Sequence, residues 1–309
     1  MRLYVAGIKG MVGSAIALEG KSQGLEVLGK SSLELDFTDR PSVFQELQES
    51  NPDFLIIAAA KVGGIRANSS APVRFLSQNL QIQTNLMDAA HIAGVRRVLF
   101  LGSSCVYPKF ASQPMSESAL LTGELEPTNE AYAIAKIAGL KLVEAYRRQF
   151  GYPWISAMPT NLYGPRDNFD LQSAHVLPAL LHRFHDAKIN GDKKVKIWGD
   201  GAPLREFLHV QDLARASLML LDKYDDATAI NVGSGREISI RDLSAMISKV
   251  VGYSGDFAFN LERLNGTPRK FLDSSRISKL GWKPQISLED GIAATYDWYL
   301  SSLKVKEVT

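Results

Sequence analysis

The chain has 309 residues, 45% of them hydrophobic, with 35 lysines and arginines against 33 aspartates and glutamates and a net charge of +2. This is the composition of a soluble globular protein with one large core or two modest ones, and the only tight basic cluster, KKVK at 193–196, is a short solvated turn that gives no ground for a nucleic-acid or membrane partner. One cysteine closes no internal disulfide, no stretch approaches the ~18 apolar residues of a membrane span, and MRLYVAGIKG lacks a leader pattern, so a cytoplasmic location is expected.

In chain order, RLYVAG (2–7), LEVLG (25–29), DFLIIAAA (53–60), RVLFLGS (97–103) and WISAMPT (154–160) are continuous apolar runs of strand length. Helical stretches separate them: MVGSAIALEGKSQG, RPSVFQELQES, PVRFLSQNLQIQTNLMDAAHIAG and EAYAIAKIAGLKLVEAYRRQF. This βαβ rhythm predicts an α/β fold on a doubly wound parallel sheet, with ligands at the carboxyl ends of the strands. After about residue 165 the rhythm breaks. DNFDLQSAHVLPALLHRFHDAK, KVKIWGDG and IRDLSAMISKVVG suggest a smaller lobe, whereas REFLHVQDLARASLMLL and AINVGSG read as a return to the first sheet. The second lobe is therefore expected to be discontinuous: residues 1–165 plus about 205–235 form a cofactor domain, and about 166–204 plus 236–309 a substrate domain.

Gly7, Gly10 and Gly13, with Lys9, Met11 and Val12 among them, follow the first strand and open the first helix. Glycines at this spacing allow a tight turn, close approach of backbone to a pyrophosphate, and helix-on-strand packing, while the helix N-terminus attracts phosphate. The second strand runs into Lys30 with no acid at its end, and Lys9 adds a second cation, a pattern that favours NADP(H) over NAD. Asp36 comes slightly later and is placed to flank the adenine.

Tyr132 and Lys136 stand at i and i+4 in YAIAK, on one helix face. A nearby ammonium, helped by an oxidised nicotinamide ring, favours the phenolate and brings a tyrosine towards a useful acid/base range. Ser103, at the end of the fourth strand, offers a hydroxyl to hold a carbonyl oxygen. Cys105, two residues on, reads by itself either as a small core residue or as a proton-transfer group. His182 and His185 continue the helix begun near His175, but nothing completes a ligand set at recognisable spacing, so no metal is expected.

The glycine loop, the serine after strand four and YxxxK resemble the extended short-chain dehydrogenase/reductase family, with its Rossmann-like fold. More narrowly, GSSCVYPK, EPTNEAYAIAKIAG, MPTNLYGPRDNFD, HVLPALLHRFH, REFLHV and GTPRK are similar to the GDP-L-fucose synthase family. That resemblance implies an NADPH-dependent 3,5-epimerase and 4-keto reductase acting on GDP-4-keto-6-deoxy-D-mannose. It implies Cys105 as base and His175 as acid for the inversions, with His175 also beside the cofactor, and Ser103, Tyr132 and Lys136 for reduction. It further implies that Ser104, Asn161, Arg183, Trp198, Arg205 and Lys270 contact a GDP-sugar, while Val176 and Leu180 either line the base or pack in the core. A homodimer through the helices at 72–93 and 131–150 is expected on the same ground. Asn265 stands where relatives carry aspartate, which puts a carboxylate contact there in doubt. Another NAD(P)-dependent nucleotide-sugar epimerase or keto-sugar reductase is the nearer alternative, and a non-catalytic NADP-binding regulator the more distant one.

Overall fold

The computed structural model describes residues 1–260 and 267–307. The first half alternates as β1 (Arg2–Ala6), α1 (Met11–Ser22), β2 (Glu26–Leu28), α2 (Arg40–Ser50), β3 (Phe54–Ile57), α3 (Ile65–Ser70), α4 (Pro72–Ile92), β4 (Arg97–Leu101), α5 (Glu130–Phe150) and β5 (Ile155–Pro159). The second half runs β6 (Asn161–Tyr163), α6 (Val176–Asn190), β7 (Lys194–Trp198), β8 (Leu204–His209), α7 (Val210–Lys223), β9 (Ile230–Val232), β10 (Glu237–Ser239), α8 (Ile240–Val251), β11 (Asp256–Asn260), β12 (Arg269–Lys270), α9 (Ser275–Lys279) and α10 (Leu288–Glu307).

Six strands form a parallel sheet in the order β2-β1-β3-β4-β5-β9. Side chains alternate across it with the period of two that a strand imposes. Tyr4, Leu55 and Phe100 point to the face covered by α2, α4 and α5, where they join Val43, Leu86 and Leu140. Leu3, Val5 and Ile56 point to the face covered by α1 and α7, with Ile16 and Leu213. Chain order reverses between β1 and β3, which opens the crevice at the strand ends where a doubly wound sheet binds ligands.

A third cluster, including Tyr163, Leu181, Phe184, Phe207, Leu243 and Ile292, makes a smaller lobe. There β8 pairs with β6 and β12 in parallel and with β10 antiparallel, while β7 pairs with β11. The return to the first sheet expected for REFLHV is made only by its neighbours: α7 packs on α1 and β9 pairs with β5, but β8 stays in the smaller sheet. Ile277 and Trp282 likewise pack under the large sheet, inside the stretch expected wholly in the second lobe. KKVK is also not a turn, because Lys194 and Lys196 are the outward positions of β7 and Val195 and Ile197 its buried ones.

Candidate active site

Glycine geometry shapes the mouth of the crevice. Gly7 has a φ of +87°, and a Cβ at Gly13 would lie 2.1 Å from the Gly7 carbonyl oxygen, so α1 approaches the loop only because that side chain is missing. The N-cap of α1, Gly10, supplies no side-chain acceptor, which leaves the first N–H groups of the helix directed at the loop. A cradle that any Cβ would fill, ending on free helix N–H groups, fits the pyrophosphate of a dinucleotide. Lys9 is exposed beside it, and Lys30 stands 4.0 Å from Glu46. Glu34 feels both lysines: hydrogen bonds from Ser31, then the charges of Lys30 and Lys9, hold its carboxyl below the usual range. The Asp36 carboxylate is committed to its own turn, accepting from Thr38 N–H and Oγ1 at 2.8 Å each, so the adenine contact expected of it competes with that turn.

One close approach sets the depth of α5. Gly139 on α5 lies against Phe100 of β4, where a Cβ would come within 2.4 Å of the ring. Held at this depth, Lys136 is buried and its ammonium donates to the Leu101 carbonyl at 2.7 Å, 4.7 Å from the Phe100 ring centre. Burial without a carboxylate pushes the lysine down to about 7. Its Nζ is 6.0 Å from the centre of the Tyr132 ring, as the i, i+4 spacing requires. In the protein by itself the Tyr132 pKa lies above the ordinary tyrosine value. Burial, and then the Cys105 charge, raise it against a hydrogen bond from Ser103. Tyr132 is a phenol that keeps its proton at neutral pH.

Past the end of β4, Ser103 caps a short turn by accepting from the Cys105 N–H at 3.2 Å. From there Ser103 favours the ionised form of both the Tyr132 phenol and the Cys105 thiol. Cys105 is half-buried rather than part of the core. Lys270 Nζ lies 3.2 Å and Asn129 Nδ2 3.5 Å from its sulfur. Burial opposes ionisation, but the Lys270 charge and the hydrogen bonds from Ser103 and Lys270 outweigh it and leave the thiol below its ordinary pKa.

His175 is the N-cap residue of α6, exposed at the lip of the site. The loop before it is pinned by Gly64 N–H to the Ser173 carbonyl at 2.8 Å, and a Cβ at Gly64 would come within 2.7 Å of the Ala174 oxygen. Surrounding protein lowers the imidazole pKa and the Lys270 charge lowers it further.

The residues expected to hold a nucleotide divide into two groups. Arg183 lies over the Trp198 ring at 4.9 Å, with Trp198 52% exposed, a flat cationic platform beside β7. Arg205 pairs in register with Lys270 across β8 and β12, and burial lowers its pKa. Asn161 donates its amide to the Glu206 carbonyl at 2.7 Å, which fixes its orientation on β6. Val176 is exposed, but Leu180 is 3% exposed within the second-lobe core and packs rather than lining a base. Ser104 is buried at 3%, so it offers little surface to a sugar. His182 turns to the Phe169 carbonyl and His185 to the Tyr296 hydroxyl. Asn265 lies outside the described residues.

Two residues at the sulfur were not legible in that role. Asn129 is the N-cap residue of α5, outside its helical period, so its spacing to Tyr132 gave no sign of the sulfur. The approach of Lys270 to Cys105 had no signal either, since the two are 165 residues apart.

The comparisons follow this geometry. The chain is 53% identical over 303 residues to GDP-L-fucose synthase 1 of Arabidopsis thaliana, covering 98% of this chain and 94% of the relative. It is 49% identical over 311 residues to GDP-L-fucose synthase of Escherichia coli strain K12, covering 97% of each. A crystal structure of a GDP-L-fucose synthetase from Naegleria fowleri bound to NADP superposes with a TM-score of 0.91 at 28% identity, covering 98% of this chain and 93% of that one. Residues 3–233 match the model of the NAD dependent epimerase/dehydratase family, and the chain belongs to that family.

Proposed function

We propose that this protein is an NADPH-dependent 3,5-epimerase and 4-keto reductase that converts GDP-4-keto-6-deoxy-D-mannose to GDP-L-fucose. The observation that carries the reading is that two kinds of proton-handling group meet around Ser103: the Tyr132–Lys136 pair, with Nζ 6.0 Å from the ring centre, and Cys105, whose N–H Ser103 accepts and whose sulfur lies 3.2 Å from Lys270 Nζ. A simple reductase needs only the first. Relatives that match nearly the full length, two of them named GDP-L-fucose synthase, support the same substrate class.

A ketone at C4 acidifies the hydrogens on C3 and C5. Cys105 removes a proton from such a carbon while the Ser103 and Tyr132 hydroxyls hold the enolate oxygen, and His175 returns a proton from the other side. NADPH, bound at the glycine loop, supplies the hydride for C4. Tyr132 then gives its proton to the C4 oxygen, with Lys136 beneath it. The Arg183–Trp198 platform and Arg205 take the GDP end, and Lys9 and Lys30 the 2′-phosphate of the cofactor. In this division of labour the large sheet carries the cofactor and the smaller lobe the GDP-sugar.

We place the protein in the cytoplasm as a homodimer, paired through α4 and α5. Val73, Ile92, Ile134 and Phe150 are exposed apolar residues on those two helices. No helix among the described residues is long and apolar enough to cross a membrane. The test of function mixes the protein with NADPH and GDP-4-keto-6-deoxy-D-mannose and determines the product's stereochemistry by NMR. One NADPH consumed per GDP-L-fucose is the expected result. An uninverted product would reduce the reading to a reductase, and light scattering that returned a 34.0 kDa particle would remove the dimer.

A further inference from the structure

Two donors converge on one sulfur. An ammonium and an amide N–H have only protons to offer, so the Cys105 sulfur, 3.2 Å from Lys270 Nζ and 3.5 Å from Asn129 Nδ2, faces both as an acceptor. A thiolate satisfies that arrangement better than a thiol does. The three residues reach the point from different parts of the molecule: Cys105 from the turn after β4, Asn129 from the residue before α5, and Lys270 from β12 in the smaller lobe.

We propose that Lys270, with Asn129, is the positioning residue that holds Cys105 as the thiolate base of the inversions, and that its charge serves this sulfur rather than the substrate's diphosphate. The proposal rests on the epimerase/reductase reading. In the step it serves, the C–H bond next to the ketone breaks, its electron pair forms the enolate, and its proton forms an S–H bond on Cys105. The His175 imidazolium then gives a proton to the same carbon, and exchange with water restores the thiolate and the imidazolium.

The other titratable groups around this centre move with it. Tyr132 on α5 is raised first by burial and then by the Cys105 charge, while His175 at the start of α6 is lowered by burial and then by Lys270. Lys136 is turned away to the Leu101 carbonyl, and on the flanking loops Lys109 is paired with Glu126 at 3.0 Å. Because the Lys270 charge lowers both Cys105 and His175, its removal shifts both limbs of the inversion's pH profile upward.

The experiment uses the full chain as wild type, Lys270→Met, Lys270→Arg and Asn129→Leu. Cys105 is the only cysteine, so iodoacetamide labelling followed by intact mass reports its ionisation without any substrate. Wild type is expected to reach half-maximal labelling below the ordinary cysteine value of about 8.5. Lys270→Met should move that midpoint up by about one unit, Lys270→Arg should restore most of the shift, and Asn129→Leu should give a smaller one. Solvent-deuterium entry at C3 and C5 of the sugar should follow the same displacement. An unchanged labelling midpoint in Lys270→Met, with a rise in KM for the GDP-sugar, would overturn the proposal and return Lys270 to the diphosphate. Labelling that shifts as expected in a protein inert towards the keto-sugar would leave the thiolate pair standing while the functional reading fell. Lys270→Arg guards against a misfolded methionine variant, since it keeps the charge at the same position.

Discussion

The two halves of the site are built by different means. Ser103, Tyr132 and Lys136 lie on one strand end and the helix that follows it, in a single lobe, and their mutual distances are set by a helical turn and by Gly139 packing on Phe100. Cys105, Lys270 and His175 meet only where a loop, a short strand of the smaller lobe and a pinned helix start converge. The first set is as rigid as its secondary structure. The second is as good as the packing between lobes, and a fold can alter it without touching the reduction machinery.

The sharpest way to break this division is to remove one group from each side. Tyr132→Phe is expected to lower kcat for NADPH oxidation about 10²–10⁴-fold, because the C4 oxygen loses its proton donor, and to slow deuterium exchange less, since Ser103 remains. Equal loss in both readouts would mean that the tyrosine serves only the enolate. Cys105→Ser should act the opposite way, lowering exchange at C3 and C5 by about 10²-fold while reduction to an uninverted sugar continues. If exchange survived in that variant, the thiol would not be the base.

A smaller effect tests the dependence on the lobe interface. Buried Glu206 of β8 accepts from Gly235 N–H at 2.8 Å and from Leu272 N–H at 3.1 Å, two residues beyond Lys270. Glu206→Gln places an amide among these donors and should cost about 1–3 kcal/mol of stability by urea unfolding. Inversion should fall more than reduction, and an equal fall would argue that Lys270 is positioned independently of this anchor.

An effect of comparable size belongs to Lys136, held near a pKa of about 7 by burial. The unfolded chain keeps that proton up to about pH 10 and the folded chain releases it near 7, so this group makes stability rise with pH between those values. Lys136→Met should remove the rise. The wild-type-minus-variant difference in urea midpoint is expected to grow from pH 7 to 9, and parallel curves would show that the folded lysine is not proton-poor.

Most of the large sheet was legible because burial on both faces writes continuous apolar runs, and FLII of β3 needs no context to be read as a buried strand. REFLHV was misplaced for the same reason. A buried strand carries no mark of which sheet it joins, and only pairing with β6, β10 and β12 decides it. Leu180 stood open between core and ligand because a helix residue's apolar character is the same in both roles, and its 3% exposure settled it for the core. Lys9, Lys30 and Arg183 could be read as cations near phosphates, but the partners that temper them, Glu34, Glu46 and the Trp198 ring, come from packing.

The amino-acid sequence alone determined the glycine loop, the strands of the parallel sheet and the Tyr132–Lys136 spacing, because each follows from spacing along a strand or helix whose period is fixed by backbone sterics. Only the tertiary structure decided the ionisation of the site: that Lys136 sits low, that Tyr132 stays protonated and that Cys105 is drawn towards the thiolate. The reason is that a proton's free energy depends on burial and on charges a few ångströms away, and for Cys105 the deciding charge, Lys270, lies 165 residues along the chain and 3.2 Å away in space.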